Sequence, residues 1–406
     1  MIKDIFKYAF SNLLHRRLRS FLSVLSILIG VTAIFALLSF GQGINKYMAD
    51  FAQEMGTDKI MMLPGSGLSA PPGTSNTKFT DEDIDFVDKI SGVDEITGLL
   101  AETAKVKYKD YKEKYTYIFG FSTESSQKRL MEEMMGGIEI IDGRSIKKGD
   151  LLKVVVGYSY TIEERLFKKA ISAGDKIEIN NIEVEVVGIY EEIGSPQDDA
   201  QIYISKEGFK KIFDEEGYEY VYMRVAKDQQ PSEVAEKIEE KFRKHRNLKE
   251  GQEDFVVQTF EDLIKTFTTV IAILNGVLVL IALISVVVAA VNIMNTMYTS
   301  VLERTQEIGV MKSIGAKNKY ILMIFIVESG LLGLVGGIIG VIFGYAIAKL
   351  GASIAASAGL SMLRPAFPLW LTLGCLIFAF IIGMISGLVP SIQASKLKPV
   401  DALRYE

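Results

Sequence analysis

The sequence holds a single cysteine, Cys375, two histidines, His15 and His245, and one tryptophan, Trp370. One cysteine excludes an intrachain disulfide framework and leaves the redox compartment undecided. The two histidines are far apart and flanked by basic residues, which argues against a histidine-built metal site. No G-x-x-x-x-G-K-[ST] stretch occurs, so no P-loop in this chain cradles ATP phosphates. HExxH and GxSxG stretches are missing too, which removes the signatures of a zinc protease and of a serine hydrolase. The long apolar runs carry almost no charge, and Glu328 is the one acid deep within them. Without paired intramembrane charges or broken-helix repeats, the pattern is not that of an ion-coupled transporter. Energy for any work must come from another subunit.

What is present is apolar and concentrated. The 406 residues are 49% hydrophobic and 23% charged, too apolar for a simple soluble protein and too charged for an all-membrane one. The apolar residues fall in a few long runs, the pattern of a membrane protein with a large soluble insert. Spans are expected at residues 21–43, 266–298, 320–350 and 368–390. The first run, Phe21 to Phe40, is long enough to cross a bilayer, whereas a signal-peptide core needs only about 7–15 residues. Ahead of it, residues 1–20 carry Lys3, Lys7, Arg16, Arg17 and Arg19 against one acid, Asp4. Ile2, Ile5, Phe6, Ala9, Leu13 and Leu14 repeat near i, i+3, i+4, which predicts an amphipathic helix on the cytoplasmic leaflet.

Residues 44–265 form the insert, with 44 acidic and 31 basic residues. The segments 1–20, 299–319 and 391–406 are each net positive. That asymmetry puts the short segments and both termini inside and the insert outside. The insert reads as mixed α/β. Strands are expected at Asp58 to Leu63, Tyr218 to Val225 and Asp254 to Thr259, and helices from Thr80 to about Ile90 and from Pro231 to His245. Ala104 to Phe121 reads as a hairpin. Residues 143–194 hold short strands, Val154 to Val156, Lys176 to Ile179 and Glu183 to Tyr190, and a helical stretch near Tyr160 to Ala170. Pro64 to Thr77 is a Gly/Ser/Pro-rich loop. Five lysines between Lys105 and Lys114 alternate with tyrosines and read as a solvated face rather than a polyanion site. Asp81-Glu82-Asp83 and Asp198-Asp199 lack calcium-loop spacing and read as a helix start and a turn.

Glu303 to Lys319 is the short charged stretch between the second and third apolar runs. Ile308, Met311 and Ile314 recur every three residues, as on one helix face. A short amphipathic helix on the membrane surface fits this spacing, and so does an ordinary interfacial loop. Phe260 to Thr269 continues into the second apolar run without proline, so one helix would overrun a ~30 Å bilayer core by several turns. The alternative is a break at Asn275-Gly276. In the third run Gly333/Gly337, Gly336/Gly340 and Gly340/Gly344 are nested small-xxx-small pairs, and Ala379, Gly383 and Gly387 offer a similar face in the fourth. Glu328 is either a partner-contact or hinge residue, or a carboxylate satisfied locally. Residues 351–367 are expected to form a short external turn, and Trp370 an interfacial anchor.

The stretch ERTQEIGVMKSIGAK resembles the coupling-helix signature of the MacB/FtsX/LolC-type ABC permeases. The chain end, Pro390-Ser391-Ile392-Gln393-Ala394-Ser395-Lys396-Leu397-Lys398-Pro399-Val400-Asp401-Ala402-Leu403-Arg404-Tyr405-Glu406, resembles that family's terminal pattern. RSFLSVLSILIGV resembles its first span, and Glu328 occupies a place where the family has a glutamate. The resemblance implies a cell-membrane protein of four transmembrane α-helices, with a large extracytoplasmic α+β domain between the first two. It also implies a ferredoxin-like porter lobe (57–118 and 217–260) with an inserted β-rich sabre lobe (119–216). It implies a homodimeric, non-enzymatic permease subunit driven by a separate ABC ATPase, which would hold the ATP and magnesium. Glu303, Arg304, Glu307, Ile308, Gly309, Met311, Lys312, Gly315 and Ala316 would meet that ATPase, with Gly309 and Gly315 allowing close approach or a tight turn. Export with a membrane-fusion-type adaptor, activation of an extracytoplasmic hydrolase and lipoprotein extraction are the functions left open. Nucleic acid is not among the implied partners.

Overall fold

In this computed structural model, residues 17–65, 67, 71–215 and 217–403 are described. The amphipathic helix expected over residues 1–20 lies almost wholly outside them, as does the final Arg404-Tyr405-Glu406. The chain forms two compact units. Among the described residues, one comprises 17–45, 270–354 and 363–403, and the other those within 46–269 and 355–362.

The second unit holds one ten-stranded sheet. Its strands are β1 (Lys59–Pro64), β2 (Val93–Lys107), β3 (Lys114–Phe121), β4 (Ile140–Gly143), β5 (Lys153–Val156), β6 (Lys176–Ile179), β7 (Ile182–Tyr190), β8 (Ile202–Ser205), β9 (Tyr220–Val225) and β10 (Phe255–Thr259). The order is β10-β1-β9-β2-β3-β8-β5-β7-β4, with β6 against β2 and β7. The first four are mutually antiparallel neighbours. Two crossovers build them, one through α2 (Asp81–Asp88) between β1 and β2, the other through α5 (Pro231–His245) between β9 and β10. This is the split β-α-β arrangement. The parallel contact of β3 with β8 carries the sheet on into the strands of residues 140–205.

Local chemistry explains these elements. Thr80 caps α2: its hydroxyl accepts from Asp83 N, and Asp83 accepts in return from Thr80 N, a reciprocal cap. Helix α5 opens on a proline and ends on Arg243, Lys244 and His245, which suits both ends of its dipole. It buries Val234, Ala235, Ile238 and Phe242 in a core with Ile60, Met62, Ile84 and Val87. The opposite face of β1, Met61 and Leu63, packs with Leu130, Met131 and Met134 of α3 (Ser125–Met134). Both faces are thus covered and β1 is buried throughout. Neither α3 nor α4 (Lys206–Phe213) is expected from the sequence, because their short, charged segments carry few apolar positions.

The helix expected over 160–170 is not there. Tyr158–Thr161 is a single 3-10 turn and irregular backbone follows. Glu164 at φ 64° cannot sit in a helix, while Tyr160, Phe167 and Ile171 are buried as anchors. The lysine hairpin is solvated as expected, with Lys109, Lys112 and Lys114 exposed. Asp150 accepts from both Arg144 guanidinium nitrogens, at 2.7 and 3.2 Å, and from Lys147 N at 2.9 Å. The Arg144 guanidinium foremost holds its carboxyl down from the usual 3.8 to about 2. The carboxylate is thus favoured more in the folded than in the unfolded chain. The resulting stabilisation, on the order of 1–2 kcal/mol, is complete well above pH 4 and is lost as pH falls from about 4 towards 2. Asp150→Asn should lower the melting temperature at pH 7 and have little effect near pH 2, as thermal unfolding at the two pH values will show.

Four helices carry the apolar runs: α1 (Arg17–Met55), α6 (Phe260–Glu303), α8 (Asn318–Ser357) and α9 (Leu369–Lys396). All four are long and apolar enough to cross a membrane. Helix α6 has no break at Asn275-Gly276 and runs for 44 residues, about 66 Å at 1.5 Å per residue. Helix α8 continues to Ser357, so the segment joining it to α9 is shorter than the expected turn over 351–367.

The glycines of α8 form two seams. Gly333 and Gly337 face α9, where a Cβ on Gly337 would lie 2.7 Å from Ala379 Cβ, and a Cβ on Gly333 would strike the Ala379 carbonyl. From the other side, Gly383 and Gly387 press on Ser329. Gly336, Gly340 and Gly344 face α1, where a Cβ on Gly340 would come within 3.0 Å of Val31 Cβ. At that seam Thr32 Oγ1 donates to the Gly340 carbonyl at 3.0 Å. One glycine-rich helix thus packs closely against two neighbours.

Candidate functional site: the corner between the second and third apolar helices

The charged stretch folds as a short helix, α7 (Thr305–Ser313). Arg304 is the corner between α6 and α7, with φ −108° and ψ 16°, and Thr305 Oγ1 steadies the bend by donating to the Val301 and Leu302 carbonyls. Arg304 points inward and is only 4% exposed. Its Nη1 donates to Glu328 Oε2 at 2.9 Å and its Nε to Glu307 Oε2 at 3.1 Å. The guanidinium lies 5.1 Å from the centre of the Phe325 ring, within cation–π range. A buried carboxylate in an apolar helix is costly unless a cation reaches it, and Arg304 is that cation.

A second tie lies at the other end of α7. Lys312 Nζ donates to the carbonyls of Ser395 at 2.8 Å and Leu397 at 2.6 Å. These belong to the C-terminal end of α9, where carbonyls lack intrahelical partners and a cation is favoured. Beyond it, α10 (Pro399–Leu403) contacts α7. The two sequence stretches that resemble family signatures, near residues 303–317 and 390–406, therefore meet in space.

Helix α7 closes with Gly315 at φ 101°. Gly315 N donates to the Lys312 carbonyl and Ala316 N to that of Met311, the pairing of a Schellman cap. Gly315 is thus a turn residue.

The face inferred from three-residue spacing needs correction. Ile308 is buried, Met311 half-buried, and Ile314 81% exposed, because Ile314 is the cap and lies past the last helical residue. The inward face is Thr305, Ile308 and Gly309. Of the nine residues expected to meet an ATPase, Glu303, Glu307 and Gly315 are exposed and Met311, Lys312 and Ala316 half-buried. Arg304, Ile308 and Gly309 are interior, packed within the chain rather than on its outer surface. The sequence reading missed the Arg304–Glu328 pair. A lone acid in an apolar run calls for a cation one helical connection away, and Arg304 is the nearest arginine. Glu328 is accordingly a satisfied carboxylate. Among the described residues no His, Cys, Asp and Glu cluster could hold a metal.

The family described as FtsX-like permease C-terminal matches residues 279–399, and the MacB-like periplasmic core domain matches residues 20–241. Over all 406 residues the sequence is 34% identical to an uncharacterized ABC transporter permease of Methanocaldococcus jannaschii, 98% of which is covered. The chain is an ABC transporter permease of the MacB/FtsX type. It is also 28% identical to the uncharacterized permease YknZ of Bacillus subtilis, with 98% of each chain covered. Against the macrolide export ATP-binding/permease protein MacB of Chromobacterium violaceum it is 26% identical over its whole length, but spans only 61% of that protein. In this permease the corner at Arg304 and both ties lie within the stretch matching the FtsX-like family.

Proposed function

We propose that this permease couples ATP binding and hydrolysis on a separate ATPase subunit to movement of its extracytoplasmic domain during export of a substrate. Two copies pair, both termini face the cytoplasm, and ATP and magnesium reside on the ATPase. The observation that carries this reading is the two-sided character of α7. Its outer side presents Glu307, Val310, Ser313 and Ile314, with the apolar Val310 and Ile314 four positions apart and both open to contact. Its inner side is fastened to α8 through Arg304 and Glu328 and to α9 through Lys312. A partner pressing on α7 would displace those helices together.

In this reading Glu303, Glu307 and Gly315 flank the ATPase contact centred on Val310 and Ile314, while Arg304, Ile308, Gly309 and Lys312 hold the contact in place. Helix α6 carries the motion outward to the porter lobe (57–118 and 217–260) and the sabre lobe (119–216). The glycine seams at Gly333, Gly337, Gly340, Gly344, Gly383 and Gly387 let α8 move as one body with α1 and α9.

Val310→Asp and Ile314→Asp test the contact. Both sites are exposed, so thermal stability should hold within about 0.5 kcal/mol. Affinity for the ATPase, measured on the purified components, should fall at least about tenfold, as for a lost central apolar anchor. Unchanged ATPase binding in both variants would remove α7 from the interface. Gly309 is a poorer place for the test, since a bulky side chain there disturbs interior packing.

A further inference from the structure

The sheet unit contains a cavity of about 320 Å³, within the size range of small-molecule sites. Phe119, Tyr203, Tyr220 and Tyr222 line it from the sheet, and Phe51 and Met55 from α1. Met131, Met134 and Met135, at the end of α3, complete the apolar wall. Methionine side chains are flexible and polarizable and adapt to differently shaped apolar ligands. Tyrosine offers an apolar ring and a polar tip.

Apart from Tyr47, the polar side chains of the lining fall into two sets. Tyr203 donates its hydroxyl to Gln201 Oε1 at 2.7 Å, and Gln201 Nε2 donates to Asp198 at 2.8 Å, so this set is satisfied internally. The hydroxyls of Tyr220 and Tyr222 make no hydrogen bond among the described residues. Of the residues lining the cavity none is a lysine, arginine or histidine, and Asp198 is the one charged side chain. A second and larger cavity, of about 760 Å³, has a different character. Its Arg224 is paired with Glu95 and Glu133, so that cation is already met by carboxylates.

We propose that the methionine- and tyrosine-lined cavity binds a small, uncharged amphipathic molecule. Its apolar or aromatic body rests on the methionines and rings, and its oxygen acceptor accepts a hydrogen bond from the Tyr220 or Tyr222 hydroxyl. An anion is disfavoured, because no cation lines the wall and Asp198 repels it. The site goes beyond the coupling role and does not depend on it.

Methyl benzoate, an aromatic ring with an ester acceptor, serves as probe, with methyl-labelled methionines in the full-length protein in lipid nanodiscs. Signals of Met131, Met134 and Met135 should shift saturably, while Met62 and Met223, buried in the separate core, stay in place and report an intact fold. Benzoate should give no saturable shift. Tyr220→Phe/Tyr222→Phe should weaken methyl benzoate about three- to tenfold, the effect of one lost hydrogen bond, and leave ethylbenzene unchanged. Non-saturable shifts, equal shifts at Met62 and Met223, or benzoate binding as tightly as its ester would overturn the assignment. So would undiminished methyl benzoate binding in the double variant. If that variant loses its Met62 and Met223 signals, the wild-type comparison of ester with anion decides the matter alone.

Discussion

Replacing Arg304 with methionine should destabilise the helical unit by about 3–5 kcal/mol, because it takes from the buried Glu328 carboxylate the guanidinium that meets it. Glu328→Leu should cost a similar amount by removing the buried carboxylate that the guanidinium meets at 2.9 Å. The two together should recover most of that loss. Burying a charge pair takes back in desolvation much of what attraction supplies, so an apolar pair of similar size is close to neutral. A double-mutant cycle on thermal unfolding in detergent measures this directly, and independent, additive losses would show that the pair is not a unit. The same double variant separates stability from coupling. If the pair ties α7 to α8 as proposed, the stable double variant should still bind the ATPase while ATP-driven transport drops.

The second large effect concerns the 44-residue helix α6. Gly276 has open space where a Cβ would stand, so Gly276→Ala should stabilise the helix by about 1 kcal/mol without touching anything. Gly276→Pro at the same place removes a backbone donor and clashes with the preceding turn, at a cost of about 3 kcal/mol or more. The proposed role of α6 predicts that Gly276→Pro retains ATP hydrolysis by the assembled complex but loses transport at least about tenfold, while Gly276→Ala retains both. Parallel hydrolysis and transport assays on the two variants check this. Transport intact in a variant whose helix is broken would mean that motion does not travel along α6.

Much of this architecture could be read from the chain because it follows from short-range chemistry. The apolar runs, the Thr80 cap, the proline-led helix 231–245 and the glycine spacing in α8 each act within a few residues of themselves. The unexpected parts depend on distant partners. The helix expected at 160–170 fails because buried Tyr160, Phe167 and Ile171 are anchored separately in the core, and tertiary burial outweighs local periodicity. Helix α3 was hidden by the charge of SSQKRLMEEM, whose three apolar contacts matter only once the sheet is there to receive them.

The corner shows the same division. Its existence was legible, since charge between two apolar runs is a local pattern. Its wiring was not. Arg304 and Glu328 are 24 positions apart, and Lys312 reaches carbonyls more than 80 positions away. Spacing alone placed Ile314 with Ile308 on one face, yet the helix stops at Ser313 and the Gly315 turn swings Ile314 outward. The outward residue, Ile314, is one of the two on which the proposed contact is centred.

The central claim is that the exposed surface of α7 and the large folded insert lie on opposite sides of the membrane, joined by α6. Native Cys375 is buried and can be replaced by serine, leaving single reporters at Ile314→Cys and at Tyr115→Cys, both highly exposed positions. With a membrane-impermeant maleimide on intact cells producing the permease without its ATPase, the account predicts labelling at position 115 at once and at position 314 only after permeabilisation. Labelling of both from outside would contradict it.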